Sequence, residues 1–122
     1  MPQRGDRVSR PTRVGEWTLR FDDKSAGELW ERLVVTHAGP LGEAFDQLAT
    51  APRHQSKRQA RLRADLATRS MKGRDLEQWQ YELSGAGRIW YCIDDDARTV
   101  WITLVTSGHP SATDTTKRRK RG

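Results

Sequence analysis

Cysteine, histidine and long apolar runs are all scarce in this sequence of 122 residues. With a single cysteine, Cys92, the chain can form no internal disulfide, which indicates a reducing compartment. The three histidines (His37, His54 and His109) are scattered, so none joins a cluster with the spacing of a metal site. No apolar run is long enough for a signal peptide or a membrane span. We therefore expect a cytoplasmic protein that uses no metal or cofactor and contacts no membrane.

Familiar catalytic motifs are missing as well. The sequence has no G-x-S-x-G elbow, no phosphate-binding glycine loop and no dinucleotide-binding glycine pattern. The run Asp94-Asp95-Asp96 comes nearest to a cation site, but consecutive carboxylates in a turn are usually solvated. Any catalysis must therefore come from a metal-independent set of side chains.

Basic residues, by contrast, are abundant and unevenly spread. The formal net charge is +6. Residues 1–13 hold four arginines against one aspartate, residues 53–74 hold eight basic residues against Asp65, and residues 117–121 are all basic. Charge concentrated in this way suits contact with a polyanion, although solvated tails explain the two ends equally well. We expect a disordered arm over residues 1–15, one domain over 16–113 and a basic tail over 114–122.

The fold is organised around the stretch from Trp79 to Thr113, which predicts three antiparallel strands. Large apolar residues alternate with polar ones at its start, the pattern of a half-buried strand. Small and acidic residues then mark two tight turns. The strands are expected at residues 79–83, 88–93 and 99–106, with turns at 84–87 and 94–97.

The register of the first hairpin decides which side chains share a face. We expect Leu83 to pair with Gly87, since a two-residue loop would pair Leu83 with Arg88 and place a charge among apolar side chains. Glu82 then lies directly across from Arg88. The apolar face carries Trp79, Tyr81, Leu83, Ile89, Tyr91 and Ile93, and the polar face carries Gln80, Glu82, Arg88, Trp90 and Cys92.

The first half of the domain predicts a strand and a helical hairpin. Residues 16–21 alternate as a strand that joins the later sheet. Ser25 and Glu28 form a capping box for a helix that runs to about His37. Gly39 and Pro40 then end that helix and begin a second one. The apolar stripes of the two helices are expected to cover the apolar face of the sheet.

The predicted fold is therefore of the α+β class: a small antiparallel sheet, covered on one face by a helical hairpin, in the order β-α-α-β-β-β. An extra basic helix is expected before the second strand. Within residues 53–74, small apolar residues recur at helical spacing. This helix can be a solvated surface helix or an arm that faces nucleic acid. Its apolar positions are Ala60, Ala64, Ala67 and Met71.

Four short strings carry a resemblance to a known family: Gly87-Arg88-Ile89-Trp90-Tyr91, Ile93-Asp94-Asp95, Val100 to Val105, and Gly108-His109. Together they resemble the sheet of the RelE/ParE superfamily, the toxins of type II toxin–antitoxin systems. The resemblance covers residues 79–113, and over 16–52 only the order of elements fits. It does not extend to residues 53–75 or to the two ends.

The resemblance implies a function. RelE-like members are ribonucleases that cut mRNA in the ribosomal A site, and a cognate antitoxin protein inhibits them. Their Gly-Arg strand contacts the cleaved phosphate, a role that falls on Arg88. Some members place lysines where this chain has Gln80 and Glu82; others use a glutamate with a C-terminal histidine, which Glu82 and His109 fit better. ParE-like members instead poison DNA gyrase.

Metal-free RNA cleavage needs three groups, because the RNA's own 2′-hydroxyl attacks the adjacent phosphate. These are a base, an acid for the leaving oxygen, and a cation for the charge on phosphorus. Arg88 is suited to be the cation, His109 the acid or base, and Glu82 the base or a support for Arg88. Alternatively, Glu82 and Arg88 form a plain cross-strand ion pair and His109 is a turn residue.

Further side chains are predicted to hold the RNA strand. Arginine and lysine bind phosphates, while tryptophan offers a flat surface on which a base can stack. The two tryptophans can equally be covered by a partner protein, and the fold can serve a protein that binds nucleic acid without cutting it. The predicted nucleic-acid-binding residues are Arg58, Arg61, Lys72, Arg74, Trp90 and Trp101.

Overall fold

A computed structural model describes residues 3–8, 11–83 and 87–107 of the chain. The described residues form an α+β domain with two helices and a mixed sheet of six strands, which confirms the predicted class. The elements are β1 (Thr18–Phe21), α1 (Lys24–Thr36), α2 (Ala38–Thr50), β2 (Gln59–Arg61), β3 (Thr68–Met71), β4 (Arg74–Glu82), β5 (Arg88–Asp94) and β6 (Thr99–Thr106).

The sheet has the strand order β1-β6-β5-β4-β2, and β3 also pairs with β4. Strands β4, β5 and β6 form the predicted antiparallel meander. Strand β1 joins the sheet as expected but runs parallel to β6. The prediction of a purely antiparallel sheet was therefore wrong. A parallel neighbour needs a long connection, which the two helices and the intervening strands supply here.

The predicted hairpin register is confirmed. Tyr81 pairs with Ile89, and Glu82 pairs with Arg88. The Leu83 amide donates to the Gly87 carbonyl at 2.7 Å. The large side chains of the apolar face are consequently all buried in the core, as one-face burial of a period-two strand requires.

Helices α1 and α2 cover this apolar face. Helix α1 begins two residues earlier than the capping box implied, because Asp23 is the N-cap and its carboxylate accepts from the Ala26 amide at 3.1 Å. Helix α1 ends at its C-cap His37, which is also the N-cap of α2, and Gly39 and Pro40 lie in the first turn of α2. The helices contribute to the core through Ala26, Trp30, Leu33, Leu41, Ala44, Phe45, Leu48 and Ala49.

The prediction of an extra basic helix over residues 53–74 was wrong. That segment contains β2, a short 3₁₀ helix (Ala64–Leu66) and β3, and both strands pair with β4. Ala64 adopts a φ of 53°, which an α-helix cannot contain. The stripe of small alanines buries little apolar area, so satisfying the backbone groups along the edge of β4 outweighs helix propensity.

Within the arm that we expected to be disordered (residues 1–15), the described residues 3–8 lie beside β1. Arg7 bridges to Arg20 in antiparallel fashion. The Gly5 amide donates to the Phe21 carbonyl at 2.7 Å, and the Val8 amide donates to the Leu19 carbonyl at 2.9 Å. Residues 3–8 thus occupy the outer edge of β1 and satisfy backbone groups that would otherwise face solvent.

A buried polar group ties the exit of α2 to the sheet. The Gln59 side-chain nitrogen Nε2 donates to the Tyr91 hydroxyl and to the Ala51 carbonyl, both at 2.9 Å. The Tyr91 hydroxyl donates onward to the Pro52 carbonyl at 2.8 Å. Burial raises the pKa of Tyr91, which keeps this hydroxyl a donor. These contacts fix the start of β2, whose pairing with β4 then places Arg58 beside Glu82.

Candidate nucleic-acid interface

Three charged side chains form a row across the uncovered end of the polar face. Arg58 lies beside Glu82, because the Glu82 amide donates to the Arg58 carbonyl at 2.7 Å, and Glu82 pairs with Arg88. Both arginines are exposed and Glu82 is half-buried. Directly paired residues of antiparallel strands project from the same face. The row therefore presents two guanidinium groups with one carboxylate between them.

Arg88 keeps its guanidinium free of Glu82. Across the described residues, no ion pair or side-chain hydrogen bond joins the two, so the plain ion-pair interpretation of this pair is not what the structure shows. The backbone of Arg88 is fixed instead, since its amide donates to the Thr106 hydroxyl at 3.1 Å. An arginine with a fixed base and unused N–H donors can bind phosphate oxygens bidentately.

Trp90 lies next to this row, two residues along β5 on the same face. It is half-buried, and its indole N–H donates to the Gln80 side-chain oxygen at 2.8 Å. Gln80 and Trp90 are paired residues of β4 and β5. The hydrogen bond fixes the ring orientation, which lowers the entropy cost of stacking a base on it.

The middle of the polar face is covered, which the sequence did not predict. The segment between β2 and β3 contacts this region, since the Gln78 side-chain nitrogen Nε2 donates to the Leu66 carbonyl at 3.0 Å. The Gln78 oxygen accepts from the Thr103 hydroxyl at 3.2 Å. Cys92 is buried beside them, and this burial raises the pKa of its thiol to about 12. Cys92 is therefore a packed thiol with little thiolate character.

Beyond the covered region lies a second site, a cleft of about 430 Å³. Its cationic side chains come from opposite edges of the sheet. Arg4 belongs to the arm beside β1, and Arg69 and Lys72 belong to β3 and the turn after it. Each arginine pairs with one oxygen of Asp22, at 3.4 Å for Arg4 and 3.3 Å for Arg69. The Lys72 ammonium lies 5.8 Å from the centre of the Trp101 ring. We call these five residues the Asp22 cleft.

The three turn aspartates are paired and not simply solvated. Arg74 binds Asp94 at 2.7 Å and Asp96 at 2.9 Å. Arg53 binds Asp95 at 2.7 Å. Burial alone would raise the pKa of Asp94, but the Arg74 guanidinium more than offsets it and the pKa is lowered. Arg74, predicted to bind nucleic acid, is thus already engaged in two ion pairs.

The remaining predicted residues divide between faces. Arg61 pairs with Trp79, so it projects from the helix-covered side, and its Nε donates to the Ala67 carbonyl at 3.2 Å. Arg58 and Trp90 accompany Arg88, whereas Lys72 and Trp101 belong to the Asp22 cleft. His109 lies outside the described residues. The structure adds Arg4, Asp22 and Arg69, which only the fold brings together; the basic run pointed to Arg69 but not to its partner.

Comparison with known proteins provides no identification: no family model matches the chain, and neither a curated protein nor a solved structure matches it significantly. Among residues 3–8, 11–83 and 87–107, no group of three or more histidine, cysteine or acidic side chains is placed to hold a metal ion. No helix within these ranges has the length and apolar character needed to cross a membrane.

Proposed function

We propose that this chain is a RelE-like toxin of a type II toxin–antitoxin system, an endoribonuclease that cuts mRNA on the ribosome without a metal. The observation that carries the proposal is the row of Arg58, Glu82 and Arg88 on the uncovered end of the sheet, with Trp90 beside it. A cognate antitoxin that covers this row would inhibit the enzyme. The site of action would be the cytoplasm.

The proposed reaction is an internal transfer at one phosphodiester. Glu82 takes the proton of the 2′-hydroxyl, whose oxygen forms a bond to phosphorus while the bond to the leaving 5′-oxygen breaks. Arg88 binds the phosphate oxygens and stabilises the charge that builds on them. A proton donor completes the leaving 5′-hydroxyl, a role that we propose for His109. The products are a 2′,3′-cyclic phosphate and a free 5′-hydroxyl.

Trp90 and Arg58 would position the strand. Trp90 offers a ring face next to Arg88 on which a neighbouring base can stack, and stacking on tryptophan tolerates any base. Arg58, exposed on the other side of Glu82, can contact a flanking phosphate. Substrate choice would then depend on the geometry of the strand more than on base edges.

The test is Arg88→Ala, compared with Arg32→Ala, which removes the same charge from an exposed position on α1. We expect Arg88→Ala to lower mRNA cleavage about 10²-fold or more and to abolish growth arrest, because it removes the cation at the reacting phosphate. Arg32→Ala should remain toxic. Cleavage is measured by primer extension on cellular mRNA after induction, and folding by circular dichroism.

Two rival functions have distinct results in the same strains. A gyrase poison would arrest growth and block supercoiling while mRNA stays intact. A protein that binds nucleic acid without chemistry would yield no cut ends in either strain. Toxicity and cleavage that persist undiminished in Arg88→Ala would contradict the proposed enzyme.

A further inference from the structure

The Asp22 cleft has features that the row around Arg88 does not explain. It brings together three cationic side chains and one acid from parts of the chain far apart in sequence. Asp22 is the buried member, with 5% of its side chain exposed, whereas Arg4 is 73% and Arg69 is 47% exposed. A charge so deeply buried needs a partner, and here it has two. The cleft therefore has an excess of positive charge facing solvent.

The arginines of the cleft have N–H donors to spare. Each contacts Asp22 through a single terminal nitrogen, at 3.3–3.4 Å. A guanidinium carries five N–H donors in a planar fork, so most of the donors of each remain for another acceptor. Asp22 thus holds both guanidinium groups at the mouth of the cleft while using little of their binding capacity.

The cleft also contains an aromatic surface. Trp101 is half-buried, and the Lys72 ammonium is placed over its ring. Lys72 has a φ of 52° and is followed by Gly73 at 80°, so a tight turn presents this lysine over the ring. A ring face with cations around it is the combination that binds a nucleotide, with the base on the ring and the phosphate on the cations.

The cleft lies on the same face of the sheet as Arg88. Trp101 pairs with Cys92, which is four residues from Arg88 on β5. At a strand rise of roughly 3.3 Å per residue, the two sites are about 13 Å apart along the strand. Trp90 lies between them. An extended single strand covers such a distance in a few nucleotides, so one RNA molecule can reach both sites.

The geometry points to the Asp22 cleft as a subsite for a nucleotide of the same single-stranded RNA, a few positions from the cleaved phosphate. This inference rests on the proposed function and extends it. The exposed Lys72 side chain moves off the ring on binding. The base then stacks on Trp101, and the flanking phosphates contact Arg4, Arg69 and Lys72. The bound strand would then run from Arg88 past Trp90 and over the segment between β2 and β3, which covers the middle of the polar face, to the cleft.

The experiment compares two double variants that each remove one arginine and one lysine. Arg4→Ala with Lys72→Ala changes the cleft, and both residues are exposed. Lys24→Ala with Arg32→Ala is the control on α1, also at exposed positions. The full chain is titrated with a fluorescent single-stranded RNA of a dozen nucleotides in which 2′-deoxy sugars prevent cleavage. Affinity is measured by anisotropy over a range of salt concentrations.

We expect the cleft variant to bind about tenfold more weakly, with a salt slope lower by about 1.4, since each lost phosphate contact removes about 0.7 for a single strand. The control should lose far less in both measurements. Equal losses in the two variants would show a general effect of net charge and overturn the subsite. So would an unchanged affinity in the cleft variant. The Arg88→Ala cleavage assay is independent of these results, so the proposed enzyme can fail or survive separately.

Discussion

Gly87 lies at the hairpin turn, as predicted, but the reason why a glycine is needed there differs from the usual one for turns. The sequence placed it in the turn at residues 84–87, where glycine usually serves by adopting positive φ. In the structure the glycines with positive φ among the described residues are Gly5, Gly15 and Gly73. Gly87 is needed for close approach instead, since a Cβ there would lie 2.9 Å from the Thr106 carbonyl oxygen. Its small size lets β5 begin beside the end of β6.

Replacing Gly87 by alanine should therefore destabilise the domain. The added methyl group meets backbone, which cannot rotate away, so we expect a loss of about 1–3 kcal/mol in the free energy of unfolding. Gly42→Ala is the control, because a Cβ at Gly42 meets nothing within 4 Å and lies within α2. That variant should gain about 0.5–1 kcal/mol. Urea unfolding measures both; a neutral Gly87→Ala would refute the close-approach explanation.

At the scale of elements, the ion pairs around the β5–β6 turn connect three parts of the chain. Arg53, in the loop after α2, contacts Asp95 in the turn and Glu77 on β4, the latter at 3.2 Å. The hydrogen bond from Arg53 lowers the pKa of Asp95. For Glu77, burial acts to raise the pKa, but Arg53 and Trp79 outweigh it and the pKa is lowered.

This arrangement predicts a pH dependence. A carboxylate with a lowered pKa in the folded state adds stability above its unfolded pKa, and that stability is lost as pH falls through the folded pKa. Arg53→Met should thus cost about 0.5–1 kcal/mol near neutral pH, a small value because these side chains are well exposed. The difference from wild type should shrink as the pH falls below the ordinary carboxylate pKa values of about 4. Chemical unfolding at several pH values tests this.

Arg32→Met serves as the matched control for the pH experiment. Arg32 is exposed on α1, and the described contacts include no ion pair for it. Its effect on stability should be small and should not change between neutral and acid pH. A difference between Arg53→Met and wild type that stays constant down to acid pH would contradict a role for ionised Asp95 and Glu77.

Element prediction succeeded where a strong local pattern agreed with the tertiary contacts. The meander was predictable, with its register, because slipping Leu83 against Gly87 would have put Arg88 among apolar side chains. The segment containing β2 and β3 was not, because its alternation is weak and its strands exist through pairing with β4. The parallel direction of β1 also depends on a partner far away in sequence.

For the molecule as a whole, the arm before β1 is part of the folded domain. Val8 is 2% exposed and belongs to the hydrophobic core. The sequence could not indicate this, because the arm is rich in arginine, glycine and proline and carries few apolar residues. The same fact explains why the Asp22 cleft was missed. Its members Arg4, Asp22 and Arg69 are adjacent only after the arm has docked on β1 and β3 has paired with β4.

Val8→Ala tests the role of the arm. Removing two buried methyl groups should lower the free energy of unfolding by about 1–3 kcal/mol. The control is Val14→Ala, since Val14 is 105% exposed and its replacement should change stability by no more than about 0.5 kcal/mol. Thermal unfolding followed by circular dichroism measures both variants. Equal melting temperatures would mean that the arm does not pack as described.

The docking of residues 3–8 along β1 has a practical consequence for anyone preparing this protein. Arg4 and Gly5 line the mouth of the cleft, so a purification tag or fluorescent fusion joined just ahead of them would crowd that opening. If the cleft is the RNA subsite proposed above, such a fusion would weaken RNA binding while leaving the melting temperature unchanged, and a functional protein would be mistaken for an inactive one.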